Sequence, residues 1–142
     1  MQMPTYSTGQ PIQSGDWIRV YSPQYGVWHH GIVRRLFHVL SGVAVEVIHN
    51  TKGGGVAVAD WHGFAEGNVV FLHRRPESAA QATVVLGRAE ANIGKPYALF
   101  AQNCEHFASF AFNGVAESES LQALGLMVAG VFAVALLTSD GR

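Results

Sequence analysis

The chain has one cysteine among its 142 residues, so no disulfide can form within it, and it fits a reducing compartment in which that thiol stays free to react. It lacks a basic stripe: the formal charge is −1, and only Arg34-Arg35 and Arg74-Arg75 cluster. A surface that neutralises nucleic-acid phosphates is therefore not expected, and no nucleic-acid partner is predicted. Met1 to Ser14 has no basic start followed by an apolar core, which reads as no secretory signal and a cytoplasmic origin. No His/Cys pair has the close spacing of a metal site, and Gly53-Gly54-Gly55 is not followed by Lys-Ser or Lys-Thr at a helix start. No metal or cofactor is expected, and the glycine run reads as a plain turn.

What is present is a chain 49% hydrophobic and long enough for one real core. Ser14-Gly15-Asp16 is a turn signal, and Trp17 to Tyr21 after it is rich in β-branched and aromatic residues, predicting a first strand that ends before Pro23. Trp28 to Val33, running on toward Phe37, and Ala44 to His49 predict a second and third strand, with Ser41-Gly42 in the turn between them. Val56 to Ala59 and Asn68 to His73 complete an antiparallel sheet of about five strands. Side chains alternate across a sheet, so His29, Gly31, Val45, Val47 and His49 share one face if the hairpin register is even.

Helices follow. Pro76-Glu77-Ser78 resembles a helix start, and Ala79 to Ile93 is dominated by helix formers before Gly94 and Pro96. Asn103 is a favoured N-cap residue, which places Cys104 in the first turn of a second helix ending near Gly114. Cys104, Phe107, Ala108, Ala111 and Phe112 follow one helix face and should pack on the sheet. A cysteine at a helix N-terminus is expected to have a lowered pKa, because unpaired N–H groups favour negative charge. A thiol nucleophile also needs an imidazole base and a polar group to fix its tautomer. The histidines of the second and third strands suit those parts. His30 should face the opposite side and be structural, His38 sits near the hairpin tip, His62 and His73 read as loop and strand-end residues, and His106 reads as a cap or surface group.

These segments resemble the lecithin retinol acyltransferase-like family, grouped with the NlpC-type cysteine enzymes of circularly permuted papain-like fold. The resemblance is carried by Gly15-Asp16 before the first strand, His29-His30-Gly31-Ile32-Val33, Val47-Ile48-His49, and above all Asn103-Cys104-Glu105-His106-Phe107. It spans roughly Ile12 to Phe112. The resemblance implies an α+β fold, Cys104 as nucleophile, His29 as general base and His49 as orienting residue, with an acyl group carried as a thioester to an alcohol, amine or water. The stretch between the two histidines is longer than the family's, and Val33 replaces its usual Tyr, which leaves His30 and His38 as competitors. Two other readings stand beside a thiol acyltransferase or phospholipase acting on lipid esters. One is an NlpC-type amidase or peptidase; the other is a catalytically silent binding or membrane-tethering module.

The expected organisation is a tail over residues 1–11, a catalytic domain over 12–115 and a C-terminal segment over 116–142. Within the last, Leu121 to Leu137 is uncharged and about the minimum length for crossing a hydrocarbon core. It is either a membrane anchor, which would bring the site to a lipid substrate, or a buried helix.

Overall fold

The computed structural model describes residues 3–96 and 104–115. Five strands, β1 (Trp17–Ser22), β2 (Val27–Val39), β3 (Gly42–Thr51), β4 (Gly55–Asp60) and β5 (Val70–Arg74), form one antiparallel sheet in the order β4-β3-β2-β1-β5. Among the described residues three helices, α1 (Trp61–Ala65), α2 (Ala79–Ala91) and α3 (Cys104–Asn113), complete an α+β domain. The strands fall where β-branched and aromatic runs alternate with glycine and proline turns, and β1 stops at Ser22 before Pro23. α2 begins as expected, with the Ser78 side chain accepting from Gln81 N–H at 3.1 Å. Gly114 closes α3 at φ +83°, a left-handed conformation that a Cβ would strain, and donates to Phe110 O. The Asn103 cap and Leu121 to Leu137 lie outside the described residues, and among those described no helix is long and apolar enough to cross a membrane.

Alternation along the strands splits the core into two layers. Trp17, Ile32, Ile48 and Val56 face α2 and α3, where Val85, Phe107, Ala108, Ala111 and Phe112 cover them. Ile18, Val20, Val33, Val45 and Val47 face the other way, against Tyr6, Ile12 and Phe64. The predicted face of α3 is buried as expected, and burying Phe107 completely contributes roughly 1.5–3 kcal/mol. His106 corrects the surface reading: it is buried too, because α3 is enclosed on nearly every side rather than along one stripe. His62, read as a loop residue, belongs to α1.

The β2–β3 register is even where it matters. Gly31, Ile32 and Val33 pair with His49, Ile48 and Val47, and the register shifts by one between Val33 and Arg35. That irregularity lets the solvent end of the long hairpin run on to the Val39↔Gly42 pair without disturbing the inner end.

Gly31 is fixed by contact. A Cβ there would lie 2.6 Å from Val47 Cγ1 and 2.9 Å from Phe64 Cε2. Gly31→Ala should therefore cost about 1–3 kcal/mol in urea unfolding, the usual penalty for over-packing, as Phe64 is pushed off the sheet. An unchanged midpoint would show that Phe64 is not held there.

Candidate active site

β2 and β3 stop pairing at Gly31↔His49, although β2 continues back to Val27 and β3 on to Thr51. Beyond that point the β3-facing backbone of β2 lacks a strand partner, and the first residue of α3 fills the place. His30 N–H donates to Cys104 Sγ at 3.1 Å, and the thiol lies 3.6 Å from the Trp28 carbonyl, in reach of a weak S–H···O contact. The sulfur is thus seated against the backbone on both sides of His29. Cys104, His29 and His49 line one cleft of about 430 Å³, within the range of small-molecule sites.

The even register puts His29 and His49 on one face as diagonal neighbours, and the two rings meet at 2.6 Å between His29 Nε2 and His49 Nδ1. This bond uses one nitrogen of His29 and leaves Nδ1 as its only atom able to accept a thiol proton. Phe64, on α1, packs on both rings, with centroids 5.2 Å from His29 and 5.5 Å from His49. The apolar surroundings disfavour imidazolium. Burial lowers the His29 pKa, opposed by the negative charge of Glu66, and burial with the neighbouring His29 pushes His49 down to about 4. Both rings are neutral at pH 7.

The thiol behaves differently from expectation. Burial raises the Cys104 pKa, and the N–H groups of His30, Cys104 and Glu105 that point at the sulfur offset this only in part. The helix-terminus argument had the right sign for its own contribution, but desolvation of the thiolate outweighs it. At rest the sulfur is protonated. An arrangement of this kind can act only if the proton leaves as the sulfur attacks.

His30 points to the opposite face, as alternation requires. Its Nδ1 accepts from Trp17 Nε1–H at 2.9 Å, so its proton sits on Nε2, and burial pushes its pKa down to about 3. The 3.8 Å approach of Glu105 Oε2 to that nitrogen is therefore not an ion pair. His38 is exposed near the hairpin tip, opposite Val43, away from the cleft. His73 stacks edge-on against Trp17 at 4.5 Å.

Two contributors went unread in the sequence. Phe64 was missed with α1, although Asp60, whose side chain accepts from Gly63 N–H, is an ordinary N-cap signal. Asp16, read only as a turn residue, is a fully buried carboxylate.

An α+β domain with a five-stranded antiparallel sheet, a buried thiol at a helix start and a histidine pair in the same cleft defines a candidate thiol–imidazole protein. Residues 10–117 match the family model of lecithin retinol acyltransferase, and the chain belongs to that family. No curated protein matches the chain.

Proposed function

We propose that the protein is a thiol-dependent acyltransferase or phospholipase that takes an acyl group from a lipid ester through a Cys104 thioester. The observation that carries this reading is the 2.6 Å His29–His49 bond in the cleft where Cys104 Sγ rests on the backbone flanking His29. As the sulfur attacks the ester carbonyl, the thiol proton passes to Nδ1 of His29, and the Nε2–H of that ring donates to neutral His49. The resulting imidazolium is stabilised by a charge-assisted bond. Collapse of the tetrahedral intermediate expels the alkoxide, which takes the proton from His29 and leaves the acyl group on sulfur. An alcohol, amine or water then gives its proton to His29, attacks the thioester and returns the thiol. We assign the oxyanion to backbone N–H groups at the start of α3, Cys104's own among them. Apolar lining from Val20, Val27, Phe64 and Ala65 suits an acyl chain.

Incubation with acyl-labelled phospholipid should leave a hydroxylamine-sensitive label on Cys104 and none on a Cys104→Ser variant. Cleavage of peptides without such an adduct would favour the amidase reading. The protonated resting thiol is the one observation that favours a silent module, and absence of both reactions would decide for it.

A further inference from the structure

Beside the cleft, the end of the β1–β2 hairpin exposes Tyr21, Tyr25, Val27 and Trp28, with Phe71 of β5 next to them. Three of them form one aromatic cluster: Tyr21 and Phe71 pack edge-on against Trp28 at 5.4 and 6.0 Å. They also run into the site, since Tyr21, Tyr25, Val27 and Trp28 line the cleft that holds Cys104. Single exposed apolar residues are ordinary, but a connected aromatic patch at a cleft mouth marks a surface that something covers.

The chemistry of the patch selects the partner. Tyr and Trp, with an apolar body and a polar tip, concentrate where hydrocarbon meets headgroups. Two cations lie on the same rings: the Arg19 guanidinium is 4.3 Å from the Trp28 ring centre, and Lys52 Nζ is 6.0 Å from that of Tyr25. Among the described residues neither cation has a carboxylate partner within ion-pair distance. A second copy of the chain is a poor occupant, because a two-fold contact would set each cationic patch against its own image. An anionic bilayer supplies both the apolar layer and the countercharge.

We propose that this hairpin end docks on an anionic membrane and seats the mouth of the cleft at the headgroup layer, where an acyl chain can pass from the bilayer toward Cys104. The inference deepens the lipid reading given above and rests on it.

The intact protein is mixed with vesicles of phosphatidylcholine and phosphatidylserine whose acyl chains carry bromine, and tryptophan fluorescence is followed. Trp17 is buried, and the third tryptophan, Trp61, packs against Tyr6 outside the patch, so Trp28 is the reporter within it. Quenching is expected on the anionic vesicles, weaker on pure phosphatidylcholine, reduced by high salt, and lost in Trp28→Phe, which keeps an aromatic ring but removes the reporter. Arg19→Gln with Lys52→Gln should weaken binding to the anionic vesicles by about tenfold or more, from the attraction of two basic side chains to such a surface. Protein that sediments with vesicles while Trp28 stays unquenched, protein that does not bind them, or a stable dimer that Trp28→Ser dissociates would each overturn the inference. Labelling of Cys104 by a water-soluble short-chain thioester reads the catalytic proposal without a bilayer. An adduct with no quenching removes the docking alone; quenching with no adduct removes the chemistry.

Discussion

His29→Ala should slow acylation of Cys104 by about 10²–10⁴-fold, the contribution typical of a positioned general base. The expectation follows from the sign of the thiol shift: burial keeps Cys104 protonated at pH 7, so attack requires a group to take its proton. His29 is neutral there and carries one nitrogen not engaged with His49. His49→Ala should also lower the rate, because the remaining ring loses the acceptor that fixes its tautomer. Residues acting as a unit are not additive, so the double variant should be little worse than His29→Ala alone. His49→Asn keeps an acceptor for Nε2–H and should recover part of the loss, which a purely structural role for His49 would not produce. Urea midpoints measured on the same variants separate chemistry from folding. Near wild-type acylation in His29→Ala would remove His29 from the mechanism.

The pH profile tests the same point. Because burial lowers the His29 pKa, the ring stays unprotonated further into acid than a free imidazole. kcat/KM should be level through neutrality and fall only below the ordinary imidazole value of 6.5, as protonation removes the base. His49, near 4, remains a neutral acceptor over that range. Iodoacetamide labelling of the resting protein should follow a thiol pKa above the ordinary value of 9.0. Labelling that saturates well below it would mean a thiolate–imidazolium pair already formed at rest, and no proton would then need to move during attack.

The sheet was legible in the sequence because strand signals are local: β-branched and aromatic runs bounded by Gly15, Pro23, Gly42 and the Gly53 to Gly55 turn coincide with β1 to β4. Alternation also placed His29 and His49 together, given an even register. What could not be read was how strands end and meet. The register shift after Val33 and the end of pairing at Gly31↔His49 depend on partners distant in sequence, and that end is what admits Cys104 between His30 N–H and the Trp28 carbonyl. The helix-terminus rule gave the thiol shift with the wrong sign, since no local pattern reports how deeply an N-terminal residue is buried. Asp16 passed as a turn residue because its side-chain partners, Tyr6 and Arg75, lie 10 residues before it and 59 after it in the sequence.

Asp16→Ala should destabilise the fold by about 3–5 kcal/mol, because Tyr6 O–H and Gln13 N–H each lose a bond to a charged acceptor, worth about 1.5–3 kcal/mol, and the partly exposed Arg75 loses its counter-ion. Asp16 is fully buried and accepts from Tyr6 O–H at 2.7 Å, Gln13 N–H at 3.0 Å, and Arg75 through Nε and Nη2, both at 2.9 Å. Arg75 reaches on to the Pro11 carbonyl at 2.7 Å, so one carboxylate joins the N-terminal segment, the start of β1 and the residue after β5. Burial and the adjacent carboxylate hold the Tyr6 pKa far above the ordinary tyrosine value, so its O–H remains a donor at every pH of interest. Removing the carboxylate leaves Tyr6 O–H and Gln13 N–H without this acceptor and Arg75 with the Pro11 carbonyl, and Asp16→Asn should help little, because its amide N–H₂ would oppose the guanidinium. Arg75→Ala should cost less than Asp16→Ala, since Tyr6 and Gln13 still satisfy the carboxylate, and a urea double-mutant cycle of the two should show clear coupling. Additive losses would mean that Asp16 works through Tyr6 and Gln13 alone. An unfolding midpoint in Asp16→Ala equal to that of the unaltered protein would mean that the second core layer holds β1 against the N-terminal segment without it.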